Sequence, residues 1–395
     1  MVLLSPSLKP TTPYFSSGPT AKHPGWRLSA LDHFLVGRSH RCLPAAKQIE
    51  SLVFRMRDVL AIPATYKVAL IPGSATGAMS AALWNFLGLR GIDAWAFDLF
   101  GARWVEDIQD QLKFSDLRCF ESSFGVLPSM DQANFDRDQV FTWCGTTSGL
   151  WLQHEPWIPQ KRSGLTICDA TSAVLCADIP WPLLDVTAFS WQKGFGSEAG
   201  IGVLVISPKA MEQLRNYIPA WPIPRTLSLT LKGKVRTSLF EDSVPLNTVS
   251  MLSVADMLSS LEWVEKRGGR MGMLARVEAS KKVLEQWVAK TPFIDFVVKN
   301  PRHRSHSSVC LEIVDPSFQV LGLEEKWAFL KKMSVLLERE QCALDCLGHP
   351  MSPPCLRFWC GPTVEASDLE IALSWVSWAF ETLSAEPQRK IRLLF

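Results

Sequence analysis

The 395-residue chain lacks three things: a long apolar run, an excess of charge of either sign, and a dense set of cysteines. No stretch approaches the roughly 20 apolar residues of a membrane-spanning helix, which excludes an integral helical membrane protein. Lys and Arg number 41 against 39 Asp and Glu, a net charge of +2, so there is no basic footprint for nucleic acid and no charged tail. The opening MVLLSPSLKPTTPYF is interrupted by Ser, Lys and three prolines before an apolar core can form, and it does not read as a signal peptide. Ten cysteines are too dilute for a disulfide-stapled scaffold, so free thiols in a reducing cytoplasm are expected. Cys342, Cys346, His349, Cys355 and Cys360 form the one cluster that invites a metal. Their spacing departs from the tight C-x2-C knuckle of structural zinc, and buried soft packing is the expected state, with no metal. Tyrosine is scarce, 3 against 16 tryptophans, most of which are assigned to packing.

What is present is an alternation of apolar strands and helical patterns. Tyr66–Ile71, Ile92–Leu99, Leu117–Glu121, Gln139–Trp143, Leu165–Asp169, Asp185–Trp191 and Ile201–Ile206 read as strands, and 74–89 as a helix. Most of these runs are almost continuously apolar or β-branched, as strands covered on both faces must be. The alternation argues for an α/β fold around a mostly parallel sheet. After a helix over 252–266, Arg267-Gly268-Gly269 interrupts the chain and a second long helical pattern runs to Trp287. Strands at 293–298 and 308–314, a helix at 324–340, a short strand and a last helix then form a smaller α+β unit. The division falls between 1–265, a large unit with an extended N-terminal arm, and 266–395, a small one.

Strands of a parallel sheet end in loops that form a ligand crevice. Four such loops carry chemistry. Pro72-Gly73-Ser74-Ala75-Thr76-Gly77 joins a strand to a helix and suits an anion at the helix start, though a plain tight turn has the same composition. Cys144-Gly145-Thr146-Thr147-Ser148-Gly149 offers hydroxyls for a ligand or for capping a turn. Asp169 ends an apolar strand, where its charge requires a cation or a proton donor unless it caps the next helix. Lys193 ends a later strand, where desolvation would turn it from a solvated cation into an amine nucleophile. Each loop alone is ambiguous. Together they make the set that pyridoxal phosphate chemistry needs: a Schiff-base lysine, an acid on the pyridine nitrogen and a phosphate cradle.

On these residues the chain resembles the phosphoserine aminotransferases, class V members of the fold-type I pyridoxal-phosphate enzymes, over nearly its full length. The matching segments are Phe15-Ser16-Ser17-Gly18-Pro19, Gly37-Arg38-Ser39-His40-Arg41, Cys168-Asp169-Ala170-Thr171-Ser172, Ser190-Trp191-Gln192-Lys193 and Leu246-Asn247-Thr248. Leu356-Arg357 and Trp359 match near the C-terminus. The resemblance implies that Lys193 carries the cofactor and then shuttles a proton, and that Asp169 pairs with the pyridine nitrogen. It further implies Trp104 on the cofactor ring, Ala75, Thr76 and Gln192 on its phosphate, and Thr146 on its phenolic oxygen or an adjacent atom. Asn247 and Thr248 would reach the cofactor of a second subunit, implying a homodimer with shared active sites. His40, Arg41 and Arg357 would grip the substrate, with Arg357 taking the α-carboxylate.

The implied activity moves an amino group between L-glutamate and 3-phosphohydroxypyruvate, giving O-phospho-L-serine and 2-oxoglutarate in serine biosynthesis, with ping-pong kinetics. Three positions depart from the family pattern. Pro350 stands where an Arg usually helps bind the substrate phosphate, His23 where Arg is common, and Cys144 where Asn is usual. Pro350 keeps a glyoxylate- or pyruvate-type acceptor open as an alternative. A cysteine desulfurase would need a nucleophilic thiol on a mobile loop, and Cys355 sits in a Pro-Pro turn instead. A non-catalytic protein that retains the fold is the remaining alternative.

Overall fold

The computed structural model describes residues 4–152 and 157–385. The first three residues of the arm and the last ten of the C-terminal unit lie outside this description. Seven strands build the principal sheet: β1 (Lys67–Pro72), β2 (Ile92–Ala96), β3 (Leu117–Glu121), β4 (Asp138–Thr142), β5 (Thr166–Asp169), β6 (Val186–Ser190) and β7 (Ile201–Ile206). Their spatial order is β1-β7-β6-β5-β4-β2-β3. Neighbours from β6 through β3 run parallel, whereas β7 is antiparallel to both β6 and β1.

The continuous apolar runs follow from a division between two cores. Successive side chains on a strand face opposite ways. Val68, Leu70, Cys168, Val203 and Val205 therefore pack into one core, and Ala69, Ile71, Ile167, Leu204 and Ile206 into the other. Helices α1 (Leu43–Val59) and α5 (Met251–Lys266) close the first core; α2 (Ser74–Phe86) and α4 (Pro208–Asn216) close the second. Two elements stop earlier than the apolar pattern suggests. β2 ends at Ala96 because Asp98 caps α3 (Leu99–Glu106), its carboxylate accepting from Gly101 N at 2.8 Å. α2 ends at Phe86, just before Gly88 at φ +103°. The edge next to β2 is held by buried Asp93. Burial alone would raise its carboxyl, but hydrogen bonds from Arg118, Asn134, Gln139 and Arg137 hold it below the usual range.

Beyond α5 the backbone turns at Gly268 and Gly269, both with positive φ, into α6 (Gly269–Lys290). A three-stranded antiparallel sheet follows, with β8 (Ile294–Phe296), β9 (Ser308–Ile313) and β10 (Leu356–Trp359) in that order. It packs with α6, α7 (Leu323–Arg339) and α8 (Ala366–Ser384) around a third core that includes Leu311, Met333, Phe358 and Leu373. The N-terminal arm lies along this C-terminal unit. Trp375 Nε1 donates to Leu8 O at 2.8 Å, Phe15 N to Leu344 O at 3.1 Å and Trp359 N to Phe15 O at 2.9 Å. The arm then crosses to the principal sheet, where Thr20 N donates to Gln192 O at 2.9 Å and Thr20 Oγ1 to Lys193 O at 2.8 Å.

All ten cysteines are free, and Cys342, Cys346, Cys355 and Cys360 are buried. Among the described residues no group of three or more His, Cys, Asp or Glu side chains is placed to hold a metal. Among them, too, no helix is long and apolar enough to cross a membrane.

Candidate active site

The loops after β1, β4, β5 and β6 converge on one cavity at the edge of the principal sheet. Lys193, three residues past β6, is only 6% exposed. Its Nζ donates to Thr146 Oγ1 at 2.9 Å and to Ser172 Oγ at 2.7 Å, and these two hydroxyls also bond to each other. Burial pulls the amine down to about 8, and the Asp169 carboxylate offsets part of that pull. About one amine in ten is then neutral at pH 7, far more than for an exposed lysine. A neutral amine is what attack on a carbonyl carbon requires.

Asp169 is the last residue of β5, and its Oδ1 accepts from Thr171 N at 3.0 Å and Thr171 Oγ1 at 2.6 Å. Burial raises its pKa, while the Thr171 bonds and the Lys193 charge draw it down. Neighbouring Asp98 is pushed up to about 6, chiefly by burial and further by the Asp169 charge. Trp104, on α3, presents a buried indole to the same cavity, which suits it to cover a flat ring.

The loop after β1 makes the anion cradle. Gly73 caps α2 in the left-handed region at φ +90°. A Cβ at Gly77 would stand 1.8 Å from Pro72 O, so only glycine lets the helix begin this close to the strand. The first N–H groups of α2, at Ser74, Ala75 and Thr76, lack intrahelical acceptors and carry the positive end of the helix dipole. Gln192 Oε1 and Thr142 Oγ1 line the same cavity, buried and without hydrogen-bond partners. Buried polar atoms left unpaired in this way are costly unless a ligand meets them. With a helix start, the Asp169 carboxylate and a buried lysine amine all lining one cavity, the residues present fit pyridoxal phosphate.

Ala75, Thr76, Trp104, Thr146, Asp169, Gln192 and Lys193, all anticipated from sequence, line this one cavity. Arg357 sits on β10 opposite Cys310, and its charge acts on Lys193. Its Nε is buried and unpaired. The other anticipated residues lie elsewhere. His40 and Arg41, just before α1, line a second cavity of about 650 Å³ together with Arg225, Arg236 and Asn247. Thr248 and Asn247 line a smaller hollow against Pro72 and Ile201. Neither shares a lining residue with the Lys193 cavity.

Four contributors carry no role in the sequence reading. Ser172 accepts from Lys193, Thr171 orients Asp169, Thr142 lines the cavity wall, and the Phe100 ring centroid lies 5.9 Å from Lys193 Nζ. Two consecutive hydroxyls, one residue beyond a strand-ending Asp, were a usable signal for Thr171 and Ser172. Nothing in the local pattern marks Phe100.

No family model matches the chain. It is 43% identical over 378 residues to the phosphoserine aminotransferase of Methanosarcina mazei, covering 96% of this chain and 99% of that protein. It is 42% identical over 377 residues to that of Methanosarcina barkeri, covering 95% and 99%. Among solved structures, a phosphoserine aminotransferase from Cytophaga hutchinsonii superposes with a TM-score of 0.77 at 18% identity, over 95% of this chain and 99% of that one. One from Bacillus circulans subsp. alkalophilus gives 0.75 at 18%, over 94% and 99%. These two likenesses bear on the fold, which is the α/β fold-type I architecture expected from sequence.

Proposed function

The chain belongs to the phosphoserine aminotransferase family, and from that premise we propose that it moves the amino group between L-glutamate and 3-phosphohydroxypyruvate. The products are O-phospho-L-serine and 2-oxoglutarate. It is an aminotransferase that depends on pyridoxal phosphate, and the observation that carries this reading is the buried Lys193 amine in one cavity with Asp169 and the start of α2. Held through Lys193, the cofactor supplies an electron sink for carbanionic charge at the substrate α-carbon.

The chain's own residues do the rest. The N–H groups at Ala75 and Thr76, with Gln192, hold the phosphate end. Asp169, fixed by Thr171, keeps a proton on the ring nitrogen. Trp104 covers the ring face, and Thr146 and Ser172 hold the lysine amine in place. Lys193 Nζ would carry a proton to and from the substrate α-carbon. Arg357 takes the α-carboxylate in a two-pronged contact.

His40, Arg41, Asn247 and Thr248 fit the same reading as contributions to the cavity of a second copy. That would make the protein a homodimer with shared sites, in the cytoplasm. The division near residue 265 separates the cofactor-holding unit from a smaller unit that carries Arg357. The test is direct. The purified protein should absorb near the edge of the visible range, and borohydride should fix the cofactor to it permanently. O-Phospho-L-serine should convert the cofactor to its amino form much faster than L-serine does. A colourless protein that takes up no pyridoxal phosphate defeats the enzyme reading; equal rates with the two amino acids defeat the phosphorylated substrate.

A further inference from the structure

Asp256, on α5, is only 1% exposed, although Met257 and Leu258 beside it enter an apolar core. A buried carboxylate is costly unless donors meet it. Four donors from two other segments do so. Oδ2 accepts from Ser197 Oγ at 2.7 Å and Glu198 N at 2.8 Å, both in the turn that follows Lys193, and from Lys22 Nζ at 2.8 Å. Oδ1 accepts from Trp26 Nε1 at 2.9 Å. Lys22 also pairs with Glu198 Oε1 at 2.6 Å. Two turns along α5, the Trp263 ring stacks on His23 with centroids 5.2 Å apart.

Lys22, His23 and Trp26 continue the N-terminal arm past Thr20, which donates to Gln192 O and Lys193 O. Upstream, Phe15 ties the same arm to the C-terminal unit. Between these anchors Gly18 passes against the lysine tip: a Cβ there would stand 3.2 Å from Lys193 Cε and 3.7 Å from Nζ. We infer that Asp256 is a positioning residue for Lys193, fixing through one carboxylate both the turn behind the lysine and the arm that shields its tip from water. The assignment rests on the reading of Lys193 above. A leucine would fill the same space at less desolvation cost, but it offers neither segment an acceptor.

The test uses the cofactor-loaded enzyme. Asp256→Ala should keep full borohydride-fixed attachment, read by mass, because Lys193 and the α2 cradle remain. Its kcat in the half-reaction with O-phospho-L-serine should fall roughly tenfold to hundredfold, the scale of an ångström's misplacement. The pH at which the visible-edge band changes should rise by about 0.5 or more, since water at the lysine favours the charged form. Trypsin should cut after Lys22 or Arg27 severalfold faster. Two gentler variants separate the segments and decide the matter where Asp256→Ala does not fold. Trp26→Phe keeps a ring but loses the donor, so the midpoint and the trypsin rate should move the same way by less. Ser197→Ala should lower kcat with the arm still protected. A lower Tm with kcat and midpoint unchanged makes Asp256 merely structural and overturns the assignment, as does the absence of both effects in the gentler variants. A wild-type protein that takes up no cofactor removes the reading of Lys193 and this assignment with it. A loaded wild type that Asp256→Ala matches in kcat and midpoint removes the assignment alone.

Discussion

The Lys193 cavity and the His40–Arg41 cavity are built on different principles. In the first, every polar group is delivered by a strand end or a helix start, and Lys193 and Asp169 are buried. The lysine amine, the Asp169 carboxylate and the start of α2 all come from one chain, with the amine held by two hydroxyls. The second, about 650 Å³, is lined by cations from the segment before α1 and from the 225–247 region, with Asp242 as its only lining carboxylate. It has donors for anions but no nucleophile and no buried acid. On the proposed reading, the difference teaches that bond-making groups sit at the ends of the sheet's strands, whereas cations that would grip substrate line a separate cavity. A second copy of the chain would join the two.

The largest effect that would break this contrast is at the lysine. Lys193→Ala should abolish borohydride-fixed attachment, read by mass, and lower the half-reaction rate by at least about a thousandfold. Retained attachment would mean that another amine carries the cofactor. Second, the two cavities should complement each other between chains. Lys193→Ala and Arg41→Ala proteins, each feeble alone, should recover about a quarter of wild-type activity when unfolded and refolded together, because a two-fold dimer regains one intact site in each mixed pair. No recovery would place both cavities in the service of the same chain.

Third, Asp169→Asn should slow proton abstraction on the order of a hundredfold, the usual cost of removing one group that stabilises developing charge. Cofactor uptake should persist, since the α2 cradle is untouched. The smallest effect is a titration. In cofactor-free protein, labelling of Lys193 by an amine reagent should rise with a midpoint near pH 8 rather than 10.5. The sign for stability follows from linkage. Between pH 8 and 10.5 the unfolded chain holds the proton that the folded one has released, so this group's contribution to stability rises across that window. Lys193→Met should therefore raise Tm of the cofactor-free protein at pH 7 by more than it does at pH 9.5.

The strands were legible in the sequence because burial on both faces leaves an uninterrupted apolar run. Ile201–Ile206 reads the same way from the pattern and from the structure. Its antiparallel direction was not legible, since a strand covered on both faces looks alike run either way. α1 and α4 also escaped the reading: their amphipathic patterns stand out only once the cores they close are known. The site divides along the same line. Asp169 announces itself by ending an apolar strand, and Lys193 by following one. The latter strand stops at Ser190, and the lysine sits in the turn beyond it rather than at the strand end. Phe100 has no such local marker.

Local periodicity thus determined the fold class, because it depends on side chains within a few residues of one another, and four strand-end loops taken together pointed to the cofactor. The tertiary structure alone decided which distant groups meet. Thr146, 47 residues before Lys193, receives its hydrogen bond. His40 and Arg41 line a different cavity from that lysine, whereas Trp104 and Phe100 line the same one. Such neighbours depend on how the chain returns through its crossovers, and a charged side chain gives no local sign of which loop it will face after the core has closed.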